Sequence, residues 1–423
     1  MVQRGYVRCP ICDKIYQLKI QMDQNVGIFE WPISFECIEC GEILTYKYSN
    51  KGIWPKDIDY KPNVDDDPVT TIGYSSSLPI TDEVYMKDLS YAESIAFFSL
   101  FINLQRGFFT SEEINAFDAF LKQMQVNLLP YRSVLKELLP FLKKGNLAAF
   151  SKKMALYFDE KEYKPIDSHQ LMFDAYFELI EMSYINLAPQ GYVNRIGKPI
   201  YLPLLDYVEK TSVEEVRSIK DALDENGKIS VWYKEEAFPY ISELLTNIQK
   251  LIPAMIYASA GVGMTQHRGD LKIVTVSCND ATTYYKDGYE VLAHGLKVIV
   301  GLNNLVENGD VNIFTNPILG DVDSIGMFAK KSGGKMIEHL NAYQTMSTYF
   351  DGAMNNKVRN AASHSGGVVY DTATQKIKCL YDKNDDTKVY ETTLMDICRL
   401  CHVQFLHIME AAILAYKIVS KAK

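Results

Sequence analysis

The chain has 423 residues, is 47% apolar and 23% charged, and carries a formal net charge of −9. That length accommodates two or three domains with full hydrophobic cores, and the apolar share excludes wholesale disorder. The acidic balance excludes a protein coated in positive potential, so any contact with nucleic acid has to come from a local patch.

The first residues, Met1 to Tyr6, lead straight into a cysteine pair without an apolar stretch, so no signal peptide is expected. No apolar run approaches the ~18 residues of a membrane span, and no membrane partner is expected. The expected compartment is cytoplasmic, where the eight cysteines are thiols or metal ligands rather than disulfides.

Residues 1–50 carry Cys9-Pro-Ile-Cys12 and Cys37-Ile-Glu-Cys40-Gly41. Two C-x2-C pairs 24 residues apart match a small β zinc ribbon, in which each pair forms a knuckle and Gly41 suits the tight turn. Strand-like alternation at Ile15–Met22 and Ile43–Tyr48 fits that reading. Four protein thiolates leave no open coordination position, so Cys9, Cys12, Cys37 and Cys40 predict a structural Zn²⁺ rather than a catalytic one. Its segment holds five Lys/Arg and six Asp/Glu, which is no basic surface.

Residues 51–82 read as a linker, partly extended, with Pro55, Pro62, Pro68 and Pro79 among acidic and serine runs. Residues 83–229 read as a helical middle domain. Tyr91, Ile95, Phe98 and Ile102 recur at helical spacing, and Thr110-Ser-Glu-Glu113 is a capping box. Amphipathic helices are expected over residues 131–142, 147–158 and 170–185, with another capped at Thr211/Ser212 and stopped near Asn226-Gly227. His169 reads as a capping or surface residue.

From residue 230 to 423 a second helical set follows. A helix over 235–258 should carry Pro239 in its first turn and be kinked or split at Pro253. A strand-like piece over 271–278 precedes a helix from about 280 to 306. One long helix is expected from about Gly334 to Ser363, ended by Gly366-Gly367. A hairpin over 368–381 and a last helix over 393–420 complete the chain, which makes the predicted fold class mainly α.

The end of the long helix carries Arg359-Asn360-Ala-Ala-Ser-His364. Histidine can move protons near neutral pH, and arginine offers a permanent planar fork matched to phosphate. Five residues apart on a helix, the two are separated by about 140° and ~7.5 Å of rise, so one copy gives a sparse constellation and two copies a groove. From residue 330 to 365, Lys330, Lys331, Lys335, Lys357 and Arg359 face only Glu338 and Asp351, reversing the sign of the whole chain.

Arg359-Asn360-x-x-x-His364 resembles the R-x(4–6)-H signature of HEPN ribonucleases, and the layout around it resembles the carboxyl half of HEPN domains in abortive-infection and toxin proteins. The resemblance covers residues 230–423 by arrangement and residues 359–364 by motif. It implies a helical bundle that forms a homodimer, a metal-independent endoribonuclease leaving 2′,3′-cyclic phosphate ends, and RNA, including transfer RNA, as substrate. Arg359 would bind phosphate, His364 would transfer the proton and Asn360 would support them, with no catalytic cofactor. An acidic or polar residue from an earlier helix is also implied, with Asp287, Glu290 and Asn303 as candidates. A phage-derived or host activator and a role in defence come from the same resemblance.

The rival expectation is a non-catalytic scaffold whose HEPN-like module binds RNA or protein. A zinc enzyme is disfavoured by the closed four-cysteine set. Cys398-Arg-Leu-Cys401-His402 has the text of a c-type haem motif but reads better as cysteines on a helix face, and a metal site there with His407 is the minority reading. His267, His294 and His339 have no partner at ligand spacing.

Overall fold

The computed structural model describes residues 2–21, 30–49, 70–75, 80–81, 85–86, 119–124, 126–158, 166–188, 200–224, 227–259, 271–314, 322–350, 352–372 and 374–423. The helical turns expected over residues 91–102 and the capping box at 110–113 lie outside them. The strands are β1 (Val2–Arg8), β2 (Ile15–Gln21), β3 (Glu30–Glu36), β4 (Ile43–Ser49), β5 (Thr70–Ser75), β6 (Ile80–Thr81), β7 (Tyr85–Met86), β8 (Leu271–Lys272), β9 (Val368–Tyr370), β10 (Lys376–Leu380) and β11 (Val389–Thr393).

The helices begin with α1 (Val134–Lys144), α2 (Leu147–Met154), α3 (His169–Leu187), α4 (Leu202–Lys210) and α5 (Val213–Leu223). A continuous helical run follows, made of α6 (Lys228–Trp232), a π-helical turn (Tyr233–Ala237) and α7 (Phe238–Thr246). Then come α8 (Ile252–Ser259), α9 (Cys278–Asn308), α10 (Ile325–Phe328), α11 (Gly333–Asn341), α12 (Gln344–Phe350), α13 (Asn356–Ser363) and α14 (Leu394–Lys421). The described chain is mainly helical with a few small sheets, as the sequence predicts.

Two units form, interleaved along the sequence. The first holds residues 1–125, 248–283 and 360–399, and the second holds 126–247, 284–359 and 400–423.

In the first unit, β1 and β2 pair antiparallel from Val2↔Gln21 to Arg8↔Ile15, and β3 and β4 pair antiparallel from Glu30↔Ser49 to Glu36↔Ile43. Val7, Tyr16, Leu18, Phe35, Leu44 and Tyr46 are buried there, with the Tyr16 and Phe35 rings 5.2 Å apart. Part of the stretch read as a linker is strand: β5 lies parallel to β2, and β7 closes the order β1-β2-β5-β7. The expected hairpin is a three-stranded sheet in the order β11-β10-β9, whose alternation buries Ile377 and Cys379. Of the strand-like piece at 271–278 only β8 is strand. The Gln375 side chain serves it as a surrogate strand, accepting from Ile273 N–H and donating to Ile273 C=O, both at 2.9 Å.

In the second unit, helix starts follow the capping chemistry of the sequence. Asn146, Ser168 and Ser212 each accept a backbone N–H three residues on. Aromatic side chains fill the core: Tyr176 packs on Phe238 at 4.8 Å and Phe177 stacks on Tyr416 at 3.6 Å. Pro239 opens α7 but lies inside the continuous helical run from Lys228, not in the first turn of a helix starting at 235, and the helix breaks before Pro253.

The single long helix expected from Gly334 to Ser363 is not present; α11, α12 and α13 replace it. Gly352 takes a left-handed φ of +71°, and Tyr285 of α9 accepts the Asn355 N–H at 2.7 Å while donating to Ala353 C=O at 3.1 Å. A tertiary hydroxyl thus takes over backbone bonds that a continuing helix would have made. Gly366-Gly367 does end α13: Gly366 has φ +76°, and a Cβ on Gly367 would lie 2.3 Å from the Ala361 carbonyl oxygen.

Helix α14 bears on the expectation that no apolar run approaches a membrane span. It has 28 residues and, by length and composition alone, could cross a membrane; its apolar window is wholly buried in the protein. Polar residues such as His402, Gln404 and His407 interrupt the run, which hides it from a search for uninterrupted apolar sequence.

Candidate functional sites

The two C-x2-C segments adopt the same turn. Cys9 N–H bonds Lys14 C=O at 2.8 Å and Cys37 N–H bonds Glu42 C=O at 2.7 Å. Each knuckle closes on a left-handed residue, Asp13 (φ +59°) and Gly41 (φ +76°). The sulfurs of Cys9, Cys12, Cys37 and Cys40 lie within 4.8 Å of one another, with Cys9–Cys40 at 3.6 Å and Cys12–Cys37 at 3.5 Å. A tetrahedral thiolate site with metal–sulfur bonds near 2.3 Å has sulfur–sulfur edges of about 3.8 Å, so the set fits a structural metal ion. It is also the only such group of His, Cys, Asp and Glu among the described residues.

Sequence spacing did not reveal the support behind Cys37. The Tyr16 hydroxyl accepts Ile38 N–H at 3.1 Å and is 3.0 Å from Cys37 Sγ, so its proton is directed to the sulfur. Burial pushes the Cys37 thiol up, but that hydrogen bond and backbone N–H donors from Cys40 and Glu39 bring it down to about 6. Burial raises Tyr16 in turn, and the Cys37 sulfur adds to the rise. A phenol held in its protonated form is the state that can donate to a thiolate ligand.

Arg359 and Asn360 are consecutive residues inside α13, and His364 follows its last residue. Val358 and Ala361 supply the buried face of this helix, leaving Arg359 and Asn360 half-buried and His364 exposed. Arg359 meets one of the three acidic or polar candidates: its Nε donates to Glu290 Oε1 at 2.6 Å and its Nη2 lies 2.5 Å from the same oxygen. The guanidinium carbon stands 5.9 Å from the centre of the Tyr289 ring. Tyr289 donates to Asn356 Oδ1, and Gly333 and Gly334 let α11 approach both residues, since a Cβ there would lie 2.5 Å from Tyr289 Oη and 2.6 Å from Asn356 Nδ2. Asp287 pairs with Lys286 at 3.7 Å and Asn303 is buried.

His364 is tied to the three-stranded sheet. Gly367 N–H returns to His364 C=O at 3.1 Å, and Leu380 N–H bonds Gly367 C=O at 2.7 Å. Asp382 follows two residues later, its carboxyl held low by Lys388, by the Asn384 N–H and by the field of His364.

The remaining histidines divide. His169 opens α3, with Nε2 3.2 Å from the carbonyl of Gly145 that ends α1, in keeping with its reading as a cap. His267 lies outside the described residues. Cys398, Cys401 and His402 are buried on α14, the helix-face arrangement expected. His339 is buried against Phe314 and Phe328, and burial lowers its basicity. His294 has a partner that spacing could not show: its Nδ1 is 2.6 Å from Glu236, 58 residues away.

Comparison of the chain with protein-family models, with curated proteins and with solved structures finds no match.

Proposed function

We propose that the chain is a metal-independent endoribonuclease of HEPN type, with Arg359 binding phosphate, His364 transferring the proton and Asn360 assisting. The observation that carries this reading is the Arg359–Glu290 pair, a fixed yet half-exposed guanidinium on the helix that ends at an exposed histidine. Cleavage through the 2′-hydroxyl needs proton transfer and positive charge on the phosphorane oxygens, and those two side-chain types supply them. Glu290 takes the supporting role that the sequence left open among Asp287, Glu290 and Asn303. Two copies would complete a cleft, so a homodimer acting on RNA in the cytoplasm belongs to the proposal, as do a defence role and an activator. The four-cysteine set would hold Zn²⁺ as a folding staple, outside the chemistry.

The test is digestion of total RNA by purified wild type, Arg359→Ala and His364→Ala, with and without chelator. Cuts with cyclic phosphate ends that need both residues and survive chelation support the nuclease. Gel shifts of RNA without shortening, equal in all three proteins, favour instead the binding scaffold; the Arg359–Glu290 bond fits that second reading as a structural ion pair.

A further inference from the structure

Within the first unit, the three-stranded sheet returns to the end of α13. β9 and β10 pair antiparallel from Tyr370↔Ile377 to Val368↔Cys379, and the Leu380 N–H to Gly367 C=O bond at 2.7 Å carries that register one residue further. Continued by two more residues, the register sets Asp382 level with Ser365, next to His364. The Gly367 N–H bond to His364 C=O, at 3.1 Å, holds the histidine in that same turn. The start of the β10–β11 turn therefore lies beside the exposed imidazole, and the field of His364 reaches the Asp382 carboxyl.

Asp382 is a fixed carboxylate. Its Oδ1 accepts Asn384 N–H at 3.1 Å and its Oδ2 meets Lys388 Nζ at 2.8 Å, which leaves each oxygen a further lone pair. Lys388 first, and then the Asn384 N–H, hold it below the usual carboxylate range, so it is ionised at neutral pH. Its side chain is 32% exposed. Asp385 in the same turn is engaged differently, accepting the Thr387 hydroxyl at 2.5 Å and the Thr387 N–H at 3.1 Å, with Lys388 at 3.8 Å. Lys383 and Asp386 are exposed. On its own side His364 has Arg359 five residues earlier on the helix.

We propose that Asp382 is the positioning residue of His364, setting the orientation of the imidazole and stabilising the imidazolium formed during RNA cleavage. The assignment rests on the nuclease reading of Arg359 and His364. In that reaction His364 carries the proton from the ribose 2′-hydroxyl to the departing 5′-oxygen, as the 2′-oxygen bonds phosphorus and the 5′-oxygen leaves. Asp382 stays ionised throughout and takes no proton, the part that a third group plays behind a catalytic histidine.

The experiment follows the His364 ring and RNA cleavage together in the full chain, as wild type, Asp382→Asn, Asp382→Glu and Asp385→Asn. Carbon-13-labelled histidine gives signals for the seven rings, and His364→Ala identifies the one that belongs to His364. Asparagine at 382 still accepts the Asn384 N–H, so the turn is kept while the charge is lost. In Asp382→Asn the His364 signal should titrate at lower pH than in wild type, and kcat on a short RNA should fall by about tenfold or more with KM unchanged. Asp382→Glu should recover part of both, and Asp385→Asn, which alters the same turn, should change neither. An identical His364 titration in wild type and Asp382→Asn, or an equal loss of cleavage in Asp385→Asn, overturns the proposal while a cutting wild type keeps the nuclease reading. No cutting by wild type removes the nuclease reading and, with it, the catalytic use of the pair, whatever the titration shows.

Discussion

Arg359 and Glu290 meet end on: two guanidinium nitrogens, at 2.6 and 2.5 Å, converge on one carboxylate oxygen. Their side chains are 37% and 42% exposed, so solvent screens the pair and its contribution to stability is ~0–1 kcal/mol. Arg359→Ala should therefore lower the melting temperature by no more than about 2–4 °C while abolishing RNA cleavage and toxicity in cells. Glu290→Gln keeps an acceptor for Arg359 and should retain more activity than Glu290→Ala. Equal toxicity in wild type, Arg359→Ala and His364→Ala would remove the catalytic assignment.

Metal loss should be local. Cys37→Ser, or a strong chelator, is expected to release about one equivalent of metal by elemental analysis and to expose the Tyr16–Phe35 core to proteolysis, with the helical circular dichroism preserved. Tyr16→Phe removes the proton aimed at Cys37 without touching a ligand. Competition with a chromophoric chelator should show its metal affinity reduced by ~10–100-fold. Unchanged affinity would mean the Ile38 N–H reaches the site well enough without the hydroxyl.

What could be read from the sequence was local. The paired knuckles, the Ser212 cap, the break before Pro253 and the stop at Gly366-Gly367 each follow from a few neighbouring residues, and each is found. The division of the Gly334–Ser363 helix was not legible, because the hydroxyl that takes the Asn355 N–H belongs to Tyr285, 70 residues away. Apolar periodicity runs across the break unaltered. That Arg359 contacts Glu290 rather than Asp287 or Asn303 was not legible for the same reason, since all three lie on one helix and only its packing selects which faces Arg359. Glu236–His294 is a further case: neither residue sits in a motif, and the π-helical turn that presents Glu236 has no plain signature in the sequence.

Gly295 tests how tightly Trp232 is packed. A methyl group there cannot coexist with the ring at 2.3 Å, and the indole is anchored by its bond to Val291. Gly295→Ala should cost about 1–3 kcal/mol in chemical denaturation through overpacking. Gly309→Ala meets no atom within 4 Å but has φ +78°, so its smaller loss would come from backbone strain alone. A Gly295→Ala protein as stable as wild type would show that the ring yields.

Glu410 poses the sharpest question of stability. It is fully buried on α14, where it accepts from Tyr184 at 2.6 Å, from Tyr349, and from His407 Nδ1 at 2.9 Å. The Tyr349 ring also packs on the His407 ring at 4.2 Å, so α3, α12 and α14 are fixed around one carboxylate. Removing it takes one buried hydrogen-bond partner from each of three polar groups. Glu410→Ala is expected to lose ~3–5 kcal/mol, the usual cost of breaking a buried pair from one side. Glu410→Gln keeps the volume and one acceptor, and should lose clearly less. A double-mutant cycle with Tyr349→Phe separates the carboxylate's bond to that hydroxyl from simple loss of volume. A coupling near zero would show that the phenol contributes packing alone, whereas ~1 kcal/mol or more would make the hydrogen bond itself the tie between α12 and α14.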